Sequence, residues 1–313
     1  MKVSIITPSY NQAAFLEQTI QSVLHQGYSD LEYMLVDGGS TDGSQEIIQK
    51  YAGQLAWWIS EPDSGQAEAI NKGLIRASGD IVAWLNSDDI LLPGAIEQAV
   101  SVFTQFPEIG LIYGDVLAID AQGKTTNRLK YGDLSLSDLA AFQVIGQPSV
   151  FMRRSVLEHA GYLDVSYHFL LDHHLWLRMA QLTGIRHVPE FLSAARFHAD
   201  SKNVSRAAEF GEEAFRILDW METQPGFVAI LRENRNRIKA GTHRLRAFYL
   251  LDGGDASGSL REYARCFRFN PGTVFRDWKH LLYAVLSLFG LDRLGGVYRN
   301  FRRLLIGRNL KNE

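Results

Sequence analysis

Residues 81–89 end an apolar run in chemistry: Ile81-Val82-Ala83-Trp84-Leu85 is followed by Asn86-Ser87-Asp88-Asp89. An apolar run of this length has the pattern of a buried strand. In open α/β sheets, ligands bind just beyond the carboxyl ends of the strands. One amide and two adjacent carboxylates placed there form a hard-oxygen set. Such a set suits Mg²⁺ or Mn²⁺, which hold phosphates through a few carboxylates while keeping some waters. Two readings fit the segment by itself: a metal–diphosphate site, or a helix N-cap cluster ahead of Leu92-Pro93.

The same punctuation recurs upstream. Thr7-Pro8-Ser9-Tyr10 closes a first apolar run, Asp37 a second, and Glu61-Pro62-Asp63-Ser64-Gly65 follows a third. Each has its own local explanation. Asp37-Gly38-Gly39 makes a tight turn, and Asp63 or Ser64 caps a helix at Gln66. Four polar strand ends in succession, however, predict one shared pocket. The loop after Asp37 carries neither the G-x-G-x-x-G dinucleotide fingerprint nor the G-x-x-x-x-G-K-[ST] phosphate loop.

The elements that position these residues follow from hydrophobic periodicity. Strands are predicted at 3–7, 33–36, 57–59, 81–85 and 109–119, with helices at 13–25, 44–51, 66–77 and 95–106. This alternation predicts an α/β, mostly parallel sheet flanked by helices. Between 135 and 205 the pattern is mixed, with a short strand at 149–151 and helices at 154–160 and 174–182. From 207 onward it is almost entirely helical, broken at Pro225-Gly226, Gly253-Gly254, Pro271-Gly272 and Gly290. Two parts are expected: a catalytic domain over 1–205 and a helical C-terminal extension over 206–313.

Bulk properties set the class. Hydrophobic content of 46% and charged content of 21% belong to an ordinary globular chain. Cys266 is the single cysteine, so no intramolecular disulfide forms, which fits a reducing compartment. Neither a cleavable leader nor a run of spanning length is apparent, so a cytoplasmic protein is expected. The net charge of −3 hides an asymmetry: residues 1–200 hold 12 Lys and Arg against 23 Asp and Glu, and residues 201–313 hold 20 against 12. The two parts are expected to face different partners.

The order and spacing of several blocks resemble the family 2 glycosyltransferases of GT-A fold. These are Thr7-Pro8-Ser9-Tyr10-Asn11, Asp37 to Ser44, Ala69-Ile70-Asn71-Lys72-Gly73, Ala77-Ser78-Gly79-Asp80 and Leu85-Asn86-Ser87-Asp88-Asp89. Gln147 to Phe151, Gly161 to Asp164 and Asp172 to Arg178 are similar to that family's acceptor-side blocks. The resemblance covers about residues 1–200. It implies that Thr7, Pro8, Ser9, Tyr10, Asp37, Asp63 and Lys72 hold the nucleotide of a nucleotide-sugar donor (UDP-, GDP- or dTDP-sugar), with Asn86 and Ser87 beside it. It implies Asp88 as principal ligand of Mn²⁺ or Mg²⁺, Asn86 as a second oxygen, and His198 completing the shell. Arg196 is placed to offset phosphate charge. Asp172 becomes the catalytic base, with Gln147, His173 and Trp176 on the acceptor side. Two positions depart from the family pattern: Asn86 replaces the first acid of D-x-D, and Leu171 replaces the acid before the base.

Chemistry independently suits Asp172 as a base. An acceptor hydroxyl must lose its proton as it attacks an anomeric carbon, and a positioned carboxylate that takes it is worth about 10²–10⁴-fold in rate. Burial beside Leu171, Leu175 and Trp176 would raise its pKa. The bland alternative is a helix cap through His174 and Leu175. For Trp176 the alternative is core packing, and for His198 a structural role. His168, His173 and His174 match no zinc spacing.

At the C-terminus, 281–291 is apolar but too short to span a bilayer. Arg293, Arg299, Arg302, Arg303, Arg308 and Lys311 follow, interleaved with apolar residues. This suits an interfacial helix on an anionic membrane surface, or a tail packed on the catalytic domain or on a second subunit as a homodimer. No recognised motif makes nucleic acid the expected partner. The expected activity is metal-dependent, inverting transfer of a sugar to a saccharide or lipid-linked saccharide in surface polysaccharide or glycolipid assembly. The alternatives are a nucleotide-sugar pyrophosphorylase or hydrolase and a non-catalytic nucleotide- or glycan-binding protein.

Overall fold

The computed structural model describes residues 1–198 and 206–289. The chain divides into two compact units. The first is Met1–Leu136 with Val144–Arg196, and the second is Ser137–Gln143 with the chain from Phe197.

The first unit is built on β1 (Val3–Ser9), α1 (Ala13–Leu24), β2 (Leu31–Asp37), α2 (Ser44–Tyr51), β3 (Trp57–Ser60), α3 (Gln66–Arg76) and β4 (Ile81–Trp84). It continues through β5 (Ile90–Leu91), α4 (Ala95–Gln105), β6 (Ile109–Ile119) and β7 (Thr125–Leu129). After α5 (Leu136–Ala140) come β8 (Val150–Arg153), α6 (Arg154–Ala160), α7 (Leu171–Ala180) and β9 (Gly184–Arg196). One nine-stranded sheet runs β3-β2-β1-β4-β8-β6-β9-β5, with β7 on β6. Strands β3, β2, β1 and β4 are mutually parallel, and antiparallel pairing sets in where β4 meets β8. The α/β expectation holds, with the parallel part confined to the strands whose ends carry the polar residues.

β1 is buried along its whole length because helices cover both faces. Val3, Ile5, Leu16, Ile20, Tyr33, Leu35, Ile96 and Phe103 share one core. Each such side chain, fully buried, contributes about 1.5–3 kcal/mol. α3 lies so close to β1 that a Cβ at Gly73 would sit 2.5 Å from Ile6 Cγ2; only glycine permits that approach.

Several predicted bounds coincide with the elements: α2, β6 and α6 match residue for residue. β9 is absent from the sequence reading. Its alternation is broken by Pro189-Glu190, and its pairing with β6 carries register shifts near Gly114 and Asp115. Helix α7 begins at Leu171, three residues before the predicted start at His174.

The second unit holds α8 (Ala207–Thr223), α9 (Val228–Asp252), α10 (Ala256–Phe269), α11 (Pro271–Arg276) and α12 (Trp278–Leu288). Ala240, Ala247, Tyr263, Cys266 and Val274 form a small core. Residues 137–143 join this unit because α9 grips them: Arg237 pairs with Asp138, and Arg244 Nη2 donates to Phe142 O at 2.9 Å. Arg293 and the basic residues after it lie outside the described residues.

Candidate active site

The carboxyl ends of the parallel strands lie side by side. Register places Ser9 beside Asp37 and Asp37 beside Ser60, while Trp84 at the end of β4 pairs with Ile6. The polar segments that follow therefore converge on one edge of the sheet.

Asp37 is fully buried. Its Oδ2 accepts from Gly39 N (3.1 Å), Ser40 N (2.9 Å) and Ser60 Oγ (2.6 Å), and its Oδ1 from Ser40 Oγ (2.5 Å). Four donors hold this carboxylate in place within its own loop. Thr7 is buried, and its Oγ1 lies 3.0 Å from the Tyr33 hydroxyl. Pro8 is buried within β1. The Lys72 ammonium is engaged by Glu61 (2.9 Å) and Glu68 (3.0 Å), so it braces α3 against the loop before it.

Three residues form an open corner. Tyr10 is 63% exposed. A Cβ added at Gly38 would lie 2.6 Å from Asp63 Oδ2 and 3.3 Å from Tyr10 Cδ2. The bare backbone of Gly38 thus lets a carboxylate and an aromatic ring approach the same point. Asp63 Oδ1 accepts from Gly65 N at 2.9 Å, which fixes the carboxylate. Beside this corner, Ser9 Oγ is buried with no hydrogen-bond partner among the described residues. A buried hydroxyl in that condition is costly unless a ligand satisfies it.

The loop after β4 is pinned from three sides. Thr19 Oγ1 donates to Asp89 O (2.7 Å), Arg196 N to Asp89 Oδ1 (2.9 Å), and Arg196 Nε to Asp88 O (2.8 Å). Gln66 Nε2 donates to Asn86 Oδ1 (2.8 Å), and Asn86 Nδ2 donates to Gln147 Oε1 (3.2 Å). Gln147 in turn donates to Trp84 O at 2.9 Å. Arg196 is 4% exposed and also reaches Asp120 O, Ala121 O and Gln18. Four of its five guanidinium N–H groups thus clamp this loop to β9, α1 and the turn after β6. The two carboxylates are unlike. Asp89 is buried, and burial followed by the charge of Asp88 pushes its pKa well above the usual carboxylate range. Asp88 and Asn86 are only partly buried, and Ser87 is 5% exposed.

α7 brings Asp172 to the same edge. Trp176 stacks on Trp84 with ring centroids 5.2 Å apart, which seats the helix against the end of β4. Asp172, four residues earlier, shares that helix face. Its Oδ1 accepts from His173 N at 2.7 Å. The preceding loop is clamped by Asn71, which exchanges bonds with Leu163 N (3.0 Å) and O (2.8 Å). Arg178 donates to the carbonyls of Ala160, Gly161 and Tyr162. Trp176 is 1% exposed and His173 2%, so both side chains are buried on α7.

Residues 4–161 match the family model described as Glycosyl transferase family 2. The chain belongs to that family. It is a glycosyltransferase of GT-A fold. An uncharacterized glycosyltransferase of Nostoc sp. is 30% identical to the transferase over 226 residues, 68% of this chain and 70% of that protein. The O-antigen biosynthesis protein RfbC of Myxococcus xanthus is 30% identical over 212 residues, 66% of this chain but 16% of that protein. Two solved structures share the fold. S. aureus TarS 1-349 in complex with UDP-GlcNAc has a TM-score of 0.60 at 14% identity and covers 88% of this chain and 92% of its own. The mannosyltransferase PcManGT of Pyrobaculum calidifontis, in complex with GDP-Man and Mn²⁺, has a TM-score of 0.60 at 17% identity, covering 93% and 86%.

Among the described residues of the transferase, no three His, Cys, Asp or Glu side chains group closely enough to hold a metal ion. His198 belongs to the second unit, two residues beyond β9. The oxygen set of Asp88 and Asn86 fits Mg²⁺ or Mn²⁺ bound mainly through substrate phosphates, the usual manner for such ions. Sequence reasoning missed Gln66, the bracing of the loop after β4 by Arg196, and the contribution of Gly38. The one local signal was a polar residue opening α3 directly after a strand-end loop.

Proposed function

We propose that the transferase moves a sugar from a nucleotide-sugar to a hydroxyl of a saccharide or lipid-linked saccharide, with inversion, in surface polysaccharide or glycolipid assembly. The observation that carries this reading is the convergence, at one sheet edge, of the Tyr10–Gly38–Asp63 corner, the Asn86–Asp88 loop and the start of α7. The corner suits a planar base: Tyr10 offers a ring face, and the Asp63 carboxylate accepts an N–H from the base edge. Ser9 Oγ suits a polar group of the nucleoside. Asp88 and Asn86 would hold Mg²⁺ or Mn²⁺. A metal held there would supply neutralisation of charge on the leaving diphosphate.

Asp172 takes the proton of the acceptor hydroxyl as its oxygen bonds to the anomeric carbon. The bond from that carbon to the phosphate oxygen breaks on the opposite face, and its electron pair leaves with the nucleoside diphosphate. One displacement inverts the anomeric centre. The catalytic domain is taken as residues 1–205, with the helices beyond serving another contact.

A thermal-shift series with UDP, GDP, dTDP and CDP, each with and without Mn²⁺, tests the donor site. A nucleotide at 100 times its Kd adds about 2.7 kcal/mol, enough to move the midpoint by several degrees. A metal-dependent shift with one nucleotide is expected. No shift with any of them would remove the reading. Product analysis separates transfer from phosphorus chemistry, because transfer releases nucleoside diphosphate whereas a pyrophosphorylase or hydrolase acts at the diphosphate itself.

A further inference from the structure

α12 is turned inside out relative to the rest of the chain. Trp278, Leu282, Val285 and Phe289 fall at spacings of four, three and four, so they form one stripe at the helical period. They are 54%, 48%, 37% and 74% exposed. Phe275, in the preceding helix α11, is 67% exposed, and its ring centroid lies 6.1 Å from that of Phe267, itself 47% exposed. An exposed apolar strip of this length on a soluble surface marks a contact.

The charge around it has one sign. From residue 263 to residue 289 there are four Lys and Arg side chains, and the one carboxylate is Asp277. That carboxylate is 13% exposed and accepts from Tyr263 OH at 2.7 Å and pairs with His280 Nδ1 at 2.6 Å, so it faces inward. Arg268, Arg276 and Lys279 are exposed, and Lys279 lies 5.9 Å from the Trp278 ring centroid. The sequence continues the bias: residues 290–313 carry six Lys and Arg against Asp292 and Glu313. A second copy of the chain would bring these like charges together across a twofold interface, where the same patch meets itself. An anionic bilayer neutralises them, and its headgroup region accommodates Trp and Phe beside basic side chains.

We propose that the α11–α12 face docks on an anionic lipid bilayer as an interfacial anchor, without crossing it. Among the described residues, no helix is long and apolar enough to span a membrane. This surface stands apart from the transfer reading, since vesicle binding is measured without donor or acceptor.

The test is flotation of the full chain with phosphatidylcholine vesicles, with and without phosphatidylglycerol. Binding is expected only with phosphatidylglycerol and is expected to fall at high salt. The variant F275S/W278S/L282S should lower the partition coefficient by roughly tenfold or more, and R276E/K279E should lower it by roughly thirtyfold or more, since it removes two basic charges and adds two acidic ones. All five positions are exposed, so circular dichroism and melting temperature should match the wild type. V228S removes an apolar residue 61% exposed on α9 and should leave binding unchanged. Equal recovery of wild type and F275S/W278S/L282S, or no flotation of the wild type, would overturn the proposal. So would light scattering that shows a wild-type dimer converted to monomer by F275S/W278S/L282S without vesicle binding, since the occupant would then be a second copy.

Discussion

The two ends of the same parallel strands are built to opposite standards. At the amino ends, Glu32 accepts from Lys2 Nζ (2.8 Å), Ser4 Oγ (2.6 Å), Ser78 N (2.8 Å) and Ser78 Oγ (2.7 Å). Burial acts to raise its carboxyl, but the Lys2, Ser4 and Ser78 donors outweigh it and hold it at about 2. Every polar group in that cluster has a use within the fold. At the carboxyl ends, Ser9 Oγ lacks a partner among the described residues, Tyr10 projects into solvent, and Asp89 is pushed up against Asp88. Stability is concentrated at one end of the sheet, and polar capacity left for a ligand at the other. The contrast predicts that substitutions at the two ends will separate activity from stability.

The largest effect is expected from Asp172→Asn, which should lower turnover by at least about 10²-fold while leaving the nucleotide-induced thermal shift near the wild-type value. Near-normal turnover would remove Asp172 as the base. Asp88→Asn should lower turnover by about 10²–10³-fold, the usual range for losing an electrostatic contact to developing charge. Unlike Asp172→Asn, it should also abolish the Mn²⁺-dependent part of the nucleotide shift. Gly38→Ala is a finer probe. The new methyl displaces the Asp63 carboxylate, so nucleotide affinity should drop by about tenfold, or 1.4 kcal/mol, with little change in melting temperature. An unchanged Kd would mean that the corner is not the base site.

Glu32→Gln should give the reverse result, with turnover retained and about 1–2 kcal/mol of stability lost at neutral pH after allowance for solvent screening. Because the folded carboxyl is depressed from 4.5 to about 2, its contribution is fully present above pH 4.5 and vanishes as pH falls toward 2. The stability gap between wild type and Glu32→Gln, read by urea titration, should therefore close across that window. A gap that persists below pH 2 would assign the effect to packing and blunt the contrast between the two ends.

Sequence by itself determined the elements of the catalytic half. Ser44–Tyr51, Ile109–Ile119 and Arg154–Ala160 were legible to the residue because helix and strand periodicities are local. The four polar strand ends were legible too, since turn residues after apolar runs are a local signal, and their order carried the family resemblance. Direction in space was not legible. Whether a carboxylate faces its own loop, as in Asp37, or an open corner, as in Asp63, depends on donors from strands distant in sequence. Thr7, Lys72, Trp176 and Arg196 carry the residue types of ligand contacts, and each also meets a partner distant in sequence: Tyr33, Glu61, Trp84 and the Asp88 carbonyl. β9 escaped because its partner β6 and the shifts in its register supply what its own pattern lacks. Only the folded chain decided which polar groups were already spent, because a hydrogen bond between residues far apart in sequence leaves no periodic trace in either.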